Sequence, residues 1–203
     1  LQGDQWDSVM NYPFNNAVVD FVANQALTAS QFLNELGFLR GNYHNAVHPV
    51  LWNLVGSHDT PRILHRCGED KRKQRLVAAL QLLLPGMPMI YYGDEAGMTG
   101  GKDPDCRRGM VWEPRYRDDT MTDWYKALIR VRKTHPCLLE GQLTQRADDE
   151  HGVVIMERQN DAERLVLLFH GKDGHADLPL YRDSFFIIHD YSGFVNINRA
   201  NLS

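Results

Sequence analysis

Along the first two thirds of the chain, apolar residues recur at helical spacing, and short apolar runs of strand character separate the helices. Ser8–Tyr12 reads as a strand that stops at Pro13. Asn15 or Asn16 can cap a helix running to about Gln25, with Val18, Phe21 and Val22 on one face. Thr28 and Gln31 form a capping-box pattern ahead of Phe32, Leu33, Leu36 and Leu39, and Gly41 is the expected stop. Leu51–Val55 is a second strand. Asp70 caps the next helix, on which Leu76, Ala79, Leu80 and Leu83 share a face, and Pro85-Gly86 ends it. Pro88–Tyr92 is a third strand, and a loop rich in Gly, Asp and Pro runs from Gly93 to about Asp119. A helix over about Thr122–Thr134 then aligns Trp124, Leu128 and Val131.

After Pro136 the pattern changes. Gly152–Arg158, Arg164–His170 and Ser184–Asp190 are runs of β-branched, aromatic and aliphatic residues. Gln159-Asn160-Asp161 and Gly171-Lys172-Asp173-Gly174 are polar turns between them, the pattern of an antiparallel β domain. The expected organisation is an α/β region over 1–140 and a β domain over 141–203, which reads as truncated because no final strand is expected in Phe194–Ser203. Alternating strands and helices predict a parallel core. About three strand–helix units are present, whereas a closed (β/α)₈ TIM barrel takes roughly 250 residues. The α/β region is therefore either the C-terminal part of such a barrel or a small open sheet.

Composition narrows the function classes. The 203 residues are 43% hydrophobic and 24% charged, which is globular rather than disordered. No apolar run reaches the ~18 residues of a membrane span. A net charge of −4 with scattered basic residues gives no nucleic-acid footprint. Cys67, Cys106 and Cys137 are widely spaced with no C-x-x-C, as expected of reduced thiols in a cytoplasmic protein. The start, Leu1-Gln2-Gly3-Asp4, lacks the pattern of a signal peptide, and without an initial Met it reads as a piece of something longer.

Chemistry is concentrated after the strands. Val55-Gly56-Ser57-His58-Asp59 ends a strand in a sharp turn, and catalytic groups of α/β folds gather at that end. A carboxylate beside His58 and Arg62 can hold hydroxyls and stay ionised, though Asp59 could equally cap the helix after it. Asp94 and Glu95 come directly after the third strand; adjacent residues on extended chain point opposite ways, which favours a structural role. Asp103-Pro104-Asp105-Cys106-Arg107-Arg108 mixes acidic and guanidinium groups suited to a polyhydroxyl ligand, or is a solvated charged loop. His44-x-x-x-His48 lacks the glutamate of a zinc-protease helix, and no metal site is expected. Nucleotide-binding glycine motifs and a G-x-S-x-G elbow are absent. Trp6, Trp52, Trp112 and Trp124 could stack on sugars, with core packing the default for each.

Four segments carry a resemblance. Gly3-Asp4-Gln5-Trp6-Asp7-Ser8-Val9-Met10-Asn11-Tyr12-Pro13-Phe14, Gly56–Arg62, Pro88–Met98 and Asp103–Arg108 resemble, in order and interval, the α-amylase family, in its neopullulanase, cyclomaltodextrinase and maltogenic-amylase branch. The resemblance implies a (β/α)₈ barrel that hydrolyses α-1,4, sometimes α-1,6, glucosidic bonds with retention. A carboxylate nucleophile and an acid Glu would stand about 5–5.5 Å apart. By the same resemblance Asp59 is the third carboxylate, which favours the distorted sugar ring; His58 binds sugar; Asp103 and Arg107 hold a glucose unit further from the cut. Asp94 and Glu95 match a recurrent motif without a catalytic step.

The family's nucleophile lies in G-F-R-x-D and its acid in E-x-x-W, both ahead of the motif that here begins at Gly3, and this sequence contains neither. The resemblance thus implies a C-terminal portion, inactive alone, of an enzyme whose partner is an α-glucan oligosaccharide. It implies no cofactor, with any calcium of the parent bound mostly upstream. It also implies a homodimeric parent, an isolated segment that self-associates through its open barrel, and no membrane or nucleic-acid partner. Non-enzymatic α-glucosidase-like subunits are the rival class, disfavoured because His58, Asp59, Asp103 and Arg107 all persist. Trehalose or sucrose isomerisation is a weaker rival.

Overall fold

A computed structural model describes residues 7–172 and the backbone of 185–189 and 196–199. The Gly3–Trp6 part of the first motif, the end of the 171–174 turn and the edges of the Ser184–Asp190 run lie outside the described residues. The first strand shrinks to a parallel bridge between Met10 and Trp52. Helix α1 (Tyr12–Val22) explains why: Asn11, not Asn15 or Asn16, caps it by accepting from the Phe14 N–H at 3.2 Å. Pro13 sits in its first turn, where a missing N–H costs nothing. The chain leaves this helix before Gln25, which has φ 50°.

Helix α2 (Ala29–Gly41) begins at the expected capping box, with Thr28 and Gln31 each accepting the other's backbone N–H. A 3₁₀ turn over Asn45–Val50 leads into β1 (Trp52–Leu54). The short α3 (Ile63–Arg66) and α4 (Lys71–Leu83), capped by Asp70, come next. Strand β2 (Met87–Met89) pairs in parallel with β1, Trp52 facing Met87 and Leu54 facing Met89. It ends before the expected Tyr92. The long loop then leads to α5 (Asp119–Thr134), capped by Asp118, which starts three residues ahead of the expected Thr122.

Three parallel segments, each succeeded by helix, thus line up in the order Met10, β1, β2. Buried polar side chains tie them together. Asn11 Nδ2 donates to Asn53 Oδ1 at 3.0 Å, Asn53 Nδ2 to the Pro85 carbonyl at 2.8 Å, and Gln81 Nε2 to the carbonyls of Asn53 and Met89. Gly86 has φ 123°, and a Cβ there would lie 2.5 Å from Asn53 Nδ2, so glycine alone lets the chain enter β2.

A short α6 (Cys137–Glu140) ends the first region. Strands β3 (Gln142–Asp148), β4 (Val153–Gln159), β5 (Arg164–His170), β6 (Phe185–His189) and β7 (Asn196–Arg199) form one sheet in chain order. β3–β4–β5 and β6–β7 are antiparallel, as expected, while β5 and β6 run parallel. β3 escapes a reading from sequence because its exposed and half-buried residues alternate weakly. β7 lies within the Phe194–Ser203 stretch where no strand was expected. Val154 and Met156 of β4 and Leu165, Leu167 and Phe169 of β5 join Phe14, Phe32 and the α4 leucines in a shared core.

Candidate active site

Val55 is buried at the end of β1, and the chain turns through Gly56. A Cβ on Gly56 would come within 2.7 Å of the Asp94 carboxylate, so glycine permits the ends of the two strands to approach. Ser57 shapes the turn beyond it: its N–H donates to Thr60 Oγ1 at 3.0 Å, and its hydroxyl accepts from the Asp59 N–H at 3.2 Å. These bonds hold Asp59 in a turn, and Asp59 caps no helix; the next helix, α3, has no side-chain cap.

The Asp59 carboxylate is 59% exposed and stands 3.2 Å from His58 Nε2. Arg107 arrives from the 3₁₀ turn over Asp105–Arg107. Its Nε lies 2.8 Å from Asp103 Oδ1 and donates to the His58 carbonyl at 3.0 Å, while a terminal nitrogen is 3.7 Å from Asp59 Oδ1. The structure therefore brings His58, Asp59, Asp103 and Arg107 together, with Arg107 as the link between two loops 44 residues apart in sequence (103 − 59). All four side chains are about half exposed and present two carboxylates, a guanidinium and an imidazole to solvent. Such a surface can hydrogen-bond a polyhydroxyl ligand from both donor and acceptor sides.

Arg62 is elsewhere. The expectation that it flanks Asp59 fails because its guanidinium is fully buried, donating to the Tyr92 carbonyl at 2.6 Å and to Asp94 Oδ1 at 3.4 Å. Tyr91 and Tyr92 cover it, each ring centroid 4.7 Å from its central carbon. Burial pushes the Asp94 carboxyl up to about 7, against the opposing pull of Arg62. Asp94 and Glu95 occupy a 3₁₀ turn rather than extended chain; Glu95 accepts the Gly93 N–H at 2.8 Å. Both carboxylates are thus engaged in supporting the site rather than facing solvent with Asp59.

The long loop is built to present Arg107. Gly101 N–H and Arg108 Nε both donate to Asp105, and these bonds hold its carboxyl below the usual range. Cys106 Sγ–H donates to the His58 carbonyl at 3.3 Å, and Tyr92 Oη donates to the Arg108 carbonyl at 2.8 Å. Sequence reasoning missed Cys106 as a support; its only signal is an apolar residue inside a charged loop. All three cysteines are free and buried, and burial pushes Cys67 and Cys137 up to about 12.

Among the tryptophans, Trp124 is buried and donates to the Arg75 carbonyl, Trp52 is half exposed, Trp112 is 78% exposed, and Trp6 lies outside the described residues. His44 and His48 are used by local backbone groups: His44 Nδ1 accepts from the Ala46 N–H, and His48 Nε2 lies 2.8 Å from the Arg40 carbonyl. Among the described residues no group of three or more His, Cys, Asp or Glu is placed to hold a metal, and no helix is long and apolar enough to cross a membrane.

Parallel strand–helix units with a polar cluster at the C-terminal strand ends define a barrel-type α/β architecture whose chemistry sits on the loops. The alpha-amylase catalytic-domain family model matches residues 1–134, and the chain belongs to that family. It is 40% identical over 185 residues to a cyclomaltodextrinase of Geobacillus thermopakistaniensis, covering 91% of this chain and 32% of that protein. It is 38% identical over 211 residues to neopullulanase 2 of Thermoactinomyces vulgaris, covering 89% of this chain and 36% of that protein. Among solved structures, the cyclic α-maltosyl-(1→6)-maltose hydrolase of Arthrobacter globiformis superposes with a TM-score of 0.79 at 34% identity, over 84% of this chain and 38% of that one. The chain spans about a third of the length of the curated relatives it matches.

Proposed function

We propose that this chain supplies the C-terminal strand–helix units and part of the sugar site of a retaining α-glucan hydrolase. Its substrates would be maltodextrins, cyclodextrins or pullulan, cut at α-1,4 and in some cases α-1,6 bonds. The observation that carries this reading is Arg107 linking Asp103 to the His58–Asp59 pair at an open strand end. In this reading Asp59 accepts hydrogen bonds from ring hydroxyls and favours the oxocarbenium-like geometry, with the Arg107 guanidinium 3.7 Å away. His58 fixes one hydroxyl, and Asp103 with Arg107 grips a neighbouring glucose unit. The nucleophile and the acid/base Glu come from residues other than those of this chain, in the segments G-F-R-x-D and E-x-x-W that it lacks.

The same reading divides the chain into a barrel portion over 1–140 and a β domain over 141–203, supported by the change from helices to strands after Glu140. It places the protein in the cytoplasm, supported by the three unpaired thiols and by 36% identity to an intracellular maltogenic amylase of Bacillus subtilis. The whole protein is a homodimer, and the chain alone self-associates.

Two measurements test the site. Maltotriose or β-cyclodextrin titrated into the chain binds, and Asp59→Asn or Arg107→Met weakens binding about tenfold, the scale of losing one charge-assisted hydrogen bond. Equal affinity in those variants overturns the assignment. Turnover of the same sugars stays at the buffer level, because covalent and acid–base catalysis both need the missing carboxylates. A saturable rate abolished by Asp59→Ala would refute the division of catalytic groups.

A further inference from the structure

Strand β4 alternates inward-facing Val154, Met156 and Arg158, and the third of these is the anomaly: an arginine only 3% exposed in an apolar row. Its Nε donates to the Cys137 carbonyl at 3.0 Å, the one side-chain hydrogen bond it makes among the described residues, and its terminal nitrogens are not among the sealed, unpartnered buried atoms, so they open onto the neighbouring cleft. Buried charges are ordinarily paired. No described carboxylate comes within ion-pair distance of Arg158.

Arg158 lines a cleft of about 750 Å³ between the helical and β regions, together with Arg40 from the end of α2 and Arg132 from the end of α5. Arg132 is partly occupied: it donates to the carbonyls of Leu82, Leu84 and Gly86, closing the C-terminus of α4. Arg40 makes no side-chain hydrogen bond or ion pair among the described residues. Burial lowers the pKa of all three guanidiniums, and on Arg158 the like charges of Arg132 and Arg40 add to that effect. Of the other titratable groups on this cleft, His48 is turned to the Arg40 and Tyr43 carbonyls, and Glu140 is exposed and makes no ion pair with any of the arginines. Three guanidiniums thus line one cleft, and its single carboxylate among the described residues, Glu140, pairs with none of them.

We propose that this cleft is an oxyanion site, distinct from the Asp59 cluster, that binds a phosphate group between Arg158 and Arg40. Guanidinium forks match the geometry of phosphate oxygens in a way that single amines do not. Arg158, held by Cys137, is oriented in advance, and Arg40 closes from the helix end. Glu140, Asn45 and Gln142 at the same cleft offer acceptors and donors for hydroxyls attached to the phosphate.

The test is calorimetric titration of inorganic phosphate into the 203-residue chain, with ionic strength held constant by sodium chloride. Expected is saturable binding with a rise in Tm that chloride does not reproduce. Arg158→Met, which keeps the side chain long and unbranched, weakens binding at least about tenfold; Arg40→Gln weakens it several-fold; Asp59→Asn leaves it unchanged. If Arg158→Met melts before titration, Arg40→Gln carries the test, since its helix-end position tolerates the change. A hexose phosphate that binds more tightly than inorganic phosphate assigns the cleft to a phosphorylated sugar, and equal affinity assigns it to the free ion. No phosphate binding beyond chloride, acetate competing as well as phosphate, or unchanged affinity in Arg40→Gln would overturn the proposal. Because Asp59→Asn separates the two sites, failure here leaves the sugar-site reading standing, and the reverse holds as well.

Discussion

Two arginines close in space to the same strand ends have opposite roles, set by burial. Arg107 is half exposed and open to a ligand; Arg62 is sealed beneath Tyr91 and Tyr92 and holds the Asp94 turn against β1. The Asp94 carboxyl, raised by burial to about 7 in the folded chain, is near 3.9 when unfolded. The native state therefore binds the extra proton between these values, and the stability contributed by this group is full below pH ~4 and lost as pH rises towards 7. Asp94→Asn keeps an acceptor for Arg62 and removes this dependence. Its unfolding free energy, measured in urea from pH 4 to 8, gains on the wild type across that window by an amount on the order of a few kcal/mol. A constant difference between the two would disprove the titration of Asp94. Arg62→Met, by contrast, strands the carboxylate at high pH and destabilises by roughly 3–5 kcal/mol at pH 8. The sequence shows Arg62 three residues after Asp59 but not that the helix starting at Ile63 turns it inward, because burial depends on Tyr91 and Tyr92 some thirty residues away.

At the level of elements, helix caps carry the clearest local information. Thr28 with Gln31, and Asp70, cap where the pattern places them, since a cap needs only its own first turn. Strands are less legible: the first is only a bridge and β2 stops short of Tyr92, because strand length is set by partners distant in sequence. Asp118 shows how much one cap can hold. It accepts the Thr120 and Met121 N–H groups and pairs with Lys71 of α4 at 2.8 Å, joining the two helices. Burial works to raise its carboxyl, but the bonds from Lys71, Thr120 and Met121 outweigh that and hold it at about 2. Here the folded value lies below the unfolded one, so the stabilisation is present above pH ~4 and disappears as pH falls towards 2. Asp118→Ala is expected to lower stability by about 1–2 kcal/mol at pH 7, with the gap to wild type closing near pH 2, as measured by denaturant melts at both pH values. Lys71→Met removes only the interhelical part and gives a smaller loss.

For the whole molecule, the parallel sheet has one face against the helices and, among the described residues, one without cover. Trp52 pairs in register with both Met10 and Met87, so the three side chains form a row on the same face, and each is at least a third exposed. The opposite face carries Asn11 and Asn53, buried in their polar network. The outer edge of β2 is blunted: the Met87 N–H points to the Leu51 carbonyl, so by alternation Pro88 faces outward with no donor to offer. Strand addition is thus disfavoured, and in the proposed self-association the apolar row is the feature that brings copies together. This much is legible in the sequence as an open barrel, whereas the in-register row needs the pairing of segments 42 and 35 residues apart (52 − 10 and 87 − 52). Sedimentation velocity over a concentration series is expected to show reversible oligomers of the wild-type chain. Met87→Lys places a charge in the exposed row and shifts the species towards monomer. Pro88→Val instead restores an edge donor and increases association. A monomer at every concentration would show that the uncovered face is compatible with water, and oligomers unaffected by Met87→Lys would show that contacts elsewhere hold the copies together.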